Sequence, residues 1–260
     1  GAGLGAIEGG PGSTWINNGT LRSSPATFYI APPTLTNNGS IVATGGAMFV
    51  TAQQWTSPAP GTITATNVPV TLGGQCTQLA SITATGPGAA LNLQGLTLKD
   101  TTLPVIGGDP GRAWTIADTN VFWDNVTLPA SETILTGANW LTFRNNLTLT
   151  PGSTLSLDTT SASTRAIQSL LGSTQSILGT GTIRSLTGTH AMHVGGTLTI
   201  ASVIALASGQ PTRLDITGGN VPASDRSLVV LGTLRATGGA TMDVTPVVNN
   251  QGSLIANGGT

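Results

Sequence analysis

The segment Gly39-Ser40-Ile41-Val42-Ala43-Thr44-Gly45-Gly46-Ala47 recurs in near copies along the whole chain. Gly19-Thr20-Leu21-Arg22-Ser23 precedes it; Gly61-Thr62-Ile63-Thr64-Ala65 and Ser81-Ile82-Thr83-Ala84 follow. Gly181-Thr182-Ile183-Arg184-Ser185, Gly232-Thr233-Leu234-Arg235-Ala236 and Gly252-Ser253-Leu254-Ile255-Ala256 extend the series. The common form is a turn residue, usually glycine, then a hydroxyl residue, Ile or Leu, a free position, and Ala or Ser. Read physically, this is a turn, a short strand with one large apolar side chain facing in, and a second turn. Copies begin at 19, 39, 61 and about 80, and the last two at 232 and 252, a step close to 20 residues. A strand-and-turn unit of that period cannot bury its apolar face alone and does so by stacking on its neighbours.

Disorder is the first alternative, because the chain is rich in glycine. Disordered chains combine few apolar residues with much charge; here 38% of residues are hydrophobic and 7% charged. A net charge of −1 without a basic cluster argues against a nucleic-acid partner and an anionic membrane surface. Cys76 is the sole cysteine, so no intrachain disulfide exists, and with His190 and His193 it falls short of a closed zinc set. No cofactor is implied. No apolar run reaches the eighteen or so residues of a membrane helix, so no membrane insertion is expected. The opening Gly1-Ala2-Gly3-Leu4, without Met, reads as a processed or trimmed mature piece.

Along the chain, residues 1–14 form a glycine-rich segment carrying only Leu4 and Ile7 as large apolar groups, a candidate inter-subunit strand. Residues 15–260 read as one solenoid domain with no linker. Trp15-Ile16-Asn17-Asn18-Gly19-Thr20 and Leu35-Thr36-Asn37-Asn38-Gly39-Ser40 share an Asn-Asn-Gly corner. Asn and Gly suit such corners, and stacked asparagines are expected to form side-chain ladders. Residues 91–150 depart from the template and gather three of the five tryptophans. Residues 163–171 are the only stretch with passable helical spacing.

Short strands between Gly, Asn and Pro turns also describe a sandwich or a barrel. The same residue types recurring at the same phase favour a stack. So does sparse charge, because stacked strands would place like charges ~4.8 Å apart. The expected fold is all-β: a single right-handed parallel β-helix of roughly 20 residues per coil and about 12 coils.

Through Trp/Leu-x-Asn-Asn-Gly-Thr/Ser-Leu/Ile at 15–21 and 35–41, the chain resembles bacterial extracellular β-strand-repeat proteins. These are the haemagglutinin-like adhesins, autotransporter passengers and large surface β-helices. Gly61-Thr62-Ile63-Thr64-Ala65-Thr66-Asn67 with Val70-Thr71-Leu72-Gly73-Gly74, and Gly179-Thr180-Gly181-Thr182-Ile183, carry the likeness further; 100–146 match least. The resemblance implies a parallel β-helix that is secreted or on the cell surface, and structural or adhesive. It transfers no catalytic residue.

The candidates for chemistry are Asp109, Arg112, Asp118 and Asp124 with Trp114 and Trp123. Paired carboxylates, or a carboxylate-bound cation with an arginine, act on sugars stacked on aromatic rings. Asp-Pro-Gly and Asp-Asn are equally ordinary turn residues. Cys76 reads as a small buried apolar residue. Asn18, Asn38, Asn125 and Asn146 each begin an Asn-x-Ser/Thr sequence, as a chain rich in Asn and Thr will by chance. Alternating threonines (Thr62, Thr64, Thr66; Thr148, Thr150) raise an ice-binding face, against the plain preference of threonine for exposed strands.

The leading expectation is therefore a non-enzymatic extracellular structural protein, a fibre or biofilm-matrix subunit or adhesin stalk. Its partners would be copies of itself stacked end to end, with surface glycans as a further partner class. Leu4 and Ile7 of one copy would meet Leu254, Ile255 and Ala256 of the next. The alternative is a polysaccharide-binding or polysaccharide-cleaving β-helix of the phage-tailspike type.

Overall fold

The repeated glycine is explained by what lies beneath it. In the computed structural model, a Cβ added to Gly39 would sit 2.1 Å from the carbonyl oxygen of Gly19, and one on Gly252 equally close to that of Gly232. Only glycine lets the corner of one coil approach the backbone below so closely. From that corner the chain enters a short strand that pairs in parallel with the strand one coil earlier. The structure describes residues 4–23, 25–116, 121–136, 140–158, 167–169, 173–206, 212–218 and 225–257. It is an all-β solenoid of parallel strands, with about 10 turns of roughly 22 residues. The chain divides into two compact units, Gly1–Thr115 and Ile116–Thr260.

In the first unit three inward columns form the core. Leu21, Ile41, Ile63, Ile82 and Ile106 are successive register partners in one. Trp15, Leu35, Trp55, Cys76 and Leu98 make the second. Ile7, Ile30, Val50, Leu72 and Leu93 make the third. Away from the first coil these side chains are buried, so each large one contributes roughly 1.5–3 kcal/mol. Beside the first column run Ala43, Ala65 and Ala84, the small residues a narrow interior needs. The bulk of Trp55 lies next to the small Cys76, and its indole N–H donates to the Gly73 carbonyl at 2.7 Å.

The asparagine corners do form ladders. In the buried interior Asn17 Nδ2 donates to Asn37 Oδ1 at 2.7 Å, and Asn37 Nδ2 donates to Ser57 Oγ at 2.9 Å, each bond joining successive coils. On the exposed side Asn38 Nδ2 donates to Asn18 Oδ1 at 3.0 Å. Burying these amides is tolerable because each finds its partner on the adjacent coil.

In the second unit Leu155, Ile183, Ile204, Leu234 and Leu254 are register partners in turn. Gln175, Leu198, Leu228 and Val248 form another such series. Long strands here turn at asparagines with positive φ: Asn125 at 56° and Asn145 at 58°. Each sits where the register slips between Asp124 and Val126 or their partners. Asparagine tolerates that conformation better than most residues.

Two expectations need correction. Coils are fewer than 12 because they lengthen: Ser156 to Arg184 spans 28 residues and Thr197 to Ser227 spans 30, against 20 from Asn17 to Asn37. The stretch with helical spacing is strand in its described part, Ile167–Ser169, paired with 141–143 on one side and 192–193 on the other. Parallel pairing on two edges outweighs a weak local helical preference. The remainder of 163–171 lies outside the described residues.

Candidate functional site

The acidic and aromatic candidates fall where chain geometry uses them. In the first unit Arg112 Nη2 meets Asp109 Oδ2 at 2.7 Å, and Asp109 also accepts the Gly86 backbone N–H at 2.7 Å. Arg112 donates on to the carbonyls of Ala89 and Gly86. The Arg112 bond holds the Asp109 carboxyl below its usual range, helped by the Gly86 N–H. A small pocket of about 200 Å³ beside Arg112 is lined by Ala84, Ala89, Leu91, Gly111 and Thr115 among others. Trp114 is wholly buried and donates to the Pro104 carbonyl at 3.2 Å. Its ring offers no face to a sugar.

Asp118 lies outside the described residues. In the second unit Trp123 is also wholly buried, and Asp124 is 3% exposed. Asp124 and Arg144 are register partners on adjacent coils and form an ion pair, while Asn145 Nδ2 donates to Asp124 Oδ1 at 2.6 Å. The Arg144 guanidinium lies 5.7 Å over the Phe122 ring. Trp114 and Trp123 thus act as core side chains, and Asp109, Arg112 and Asp124 as fasteners between coils. His190 is buried, and His193 packs on Trp140 with ring centroids 4.4 Å apart. Among the described residues no three His, Cys, Asp or Glu side chains cluster as a metal site. Cys76 is buried, and that burial pushes its thiol up to about 12 despite the bond to the Gln78 carbonyl.

Charge pairing between coils is the feature sequence reasoning missed. Ser156 Oγ bonds Glu132, and Arg184 bonds both Ser156 Oγ at 2.9 Å and Glu132 Oε1 at 2.5 Å, joining residues 52 apart. Asp215 and Asp243 are stacked like charges, and Arg213 bridges them. The sole sequence signal was the scarcity of charge itself.

Among the described residues, the first and last coils leave apolar strand faces uncovered. In the second unit the strands Val247–Asn250 and Ser253–Asn257 are exposed throughout. Leu254 holds the inward phase of its column yet is 55% exposed, because no described coil covers it. Leu234, Ala236, Met242, Val244, Leu254 and Ala256 line an apolar hollow of about 190 Å³ there. In the first unit Leu4, Trp15 and Ile16 are exposed, and Ile7 is half-buried. The glycine-rich segment is itself part of that coil: Gly5–Ile7 pairs with Phe28–Ile30 through one edge.

No protein-family model, curated protein or solved structure matches the chain. What the end coils can do chemically follows from their own groups: a row of backbone donors or acceptors beside an apolar interior, the surface to which a further parallel strand adds.

Proposed function

We propose that the protein is an extracellular structural subunit that stacks copies of itself head to tail, as a fibre, matrix element or adhesin stalk. The observation that carries this reading is the last described coil, whose inward-phase Leu254 and Val248 stand exposed while their register partners Leu234 and Leu228 in the preceding coil are buried. An end-to-end contact does not close on itself, so it propagates. A non-catalytic role is supported by the buried tryptophans and by acids already held by arginines.

Sedimentation velocity over a concentration series tests the reading. The intact chain should give species that grow with concentration, and deletion of residues 1–14, which removes the strand Gly5–Ile7, should suppress that growth. A single monomeric species at every concentration overturns it.

A further inference from the structure

Among the described residues nothing requires glycine at Gly19. Its φ is not positive, and a Cβ built on it meets nothing within 4 Å. At the same phase Gly39, Gly232 and Gly252 each face the carbonyl oxygen of the coil beneath, at 2.1 Å from the added Cβ. Gly19 is the template glycine with no described coil beneath it.

The last coil supplies a matching neighbour. Asn17 Oδ1 accepts the Gly19 N–H at 3.1 Å, and Asn250 Oδ1 accepts the Gly252 N–H at 3.3 Å, so the first and last coils turn the same kind of corner with Asn and Gly at matching positions. Strands of equal kind flank both corners: Thr14–Asn17 and Thr20–Ser23 in the first, Val247–Asn250 and Ser253–Asn257 in the last. Between internal coils this corner is joined by Ser40 N–H donating to the Gly19 carbonyl at 2.8 Å, and by Ser253 N–H donating to the Gly232 carbonyl at 2.9 Å.

We propose that a second copy of this chain occupies the lower face of the first coil in one register: Gly252 of one copy beneath Gly19 of the next. Asn250 then lies under Asn17, Ser253 under Thr20, Leu254 under Leu21 and Val248 under Trp15. Thr20 N–H donates to the Gly252 carbonyl, repeating the internal bond, and the Asn17–Asn37–Ser57 ladder continues down through Asn250. Leu254 gains the cover its column lacks. The joint thus continues the coil-to-coil interface already inside the chain, with no arginine or carboxylate brought over its like. This register rests on the head-to-tail reading and specifies its contact.

The variant Gly19→Val tests it. The added side chain enters open space in the lone chain but collides with the Gly252 carbonyl in the joint. Thermal melting should match the parent, while the concentration needed for assembly rises by at least about tenfold, as loss of a close-packed contact implies. In parallel, copies bearing Thr20→Cys are mixed with copies bearing Ser253→Cys and oxidised, with Arg22→Cys and Ser253→Cys as the displaced control. Register partners on neighbouring strands lie ~4.8 Å apart, within reach of a disulfide, whereas the displaced pair does not. Preferential Thr20–Ser253 cross-linking supports the register, even if the valine variant proves unstable. If the parent assembles but Gly19→Val assembles equally well, or the displaced pair cross-links as readily, the register is wrong and stacking stands. If the parent stays monomeric, some other segment or partner covers this face, and both readings fall.

Discussion

Ile63 lies between Ile41 and Ile82 in a column with no access to water. Replacing it by Asp would put a carboxylate among aliphatic side chains with no cation in register. Ile63→Asp is therefore expected to cost about 3–5 kcal/mol, read as a fall in the urea midpoint. A soluble variant melting with the parent would contradict the assigned register. Glu132 makes a different case. Burial alone would raise its carboxyl, but the bonds from Ser156 and Arg184 outweigh that and leave it below its ordinary value. The unfolded chain then takes up the proton first. The stability Glu132 confers is complete above the ordinary glutamate value of about 4.3 and is lost as pH falls through the lower folded value. Glu132→Gln should melt below the parent at pH 6, and the gap should close in acid. A gap that widens on acidification would show that the sign is wrong.

At the level of elements, the asparagine corner separates two roles that look alike in sequence. Asn37 is fully buried, receives the Asn17 amide and donates to Ser57 and to the Thr62 carbonyl at 3.3 Å. Asn38, one residue on, makes its ladder bond to Asn18 at the exposed surface. Asn37→Ala leaves buried partners unsatisfied and should cost about 1–3 kcal/mol, whereas Asn38→Ala should stay within about 0.5 kcal/mol. Equal effects in denaturant melts would mean that the inner ladder does not hold the corner. The same corner shows why the strands were legible: glycine, hydroxyl and Ile or Leu recur at fixed phase, and stacking demands that phase. Register in the later coils was not legible, because spacing stretches from 20 to 28 and 30 residues and hides which side chains meet. The bridge from Glu132 to Arg184 leaves no local pattern for that reason. Ile167–Ser169 was misread because spacing over nine residues cannot sense strands on both edges. The tryptophans at 114 and 123 suggested a binding surface only because sequence does not show which way a ring points.

For the molecule as a whole, sparse charge and open end coils belong together. Each joint sets the last coil of one copy against the first coil of the next, so a chain with 7% charged residues, several in opposite-sign pairs between coils, adds a further copy with little electrostatic conflict. Salt should accordingly change the assembly threshold little, since burial of apolar surface drives the contact. A steep salt dependence in light scattering would point instead to an ionic joint. The most direct measurement is negative-stain electron microscopy of the intact chain across a concentration series. Unbranched filaments that lengthen with concentration, and that are lost on deleting residues 1–14, are the predicted result. Discrete particles of fixed size at every concentration, whether single chains or closed trimers, would contradict head-to-tail stacking.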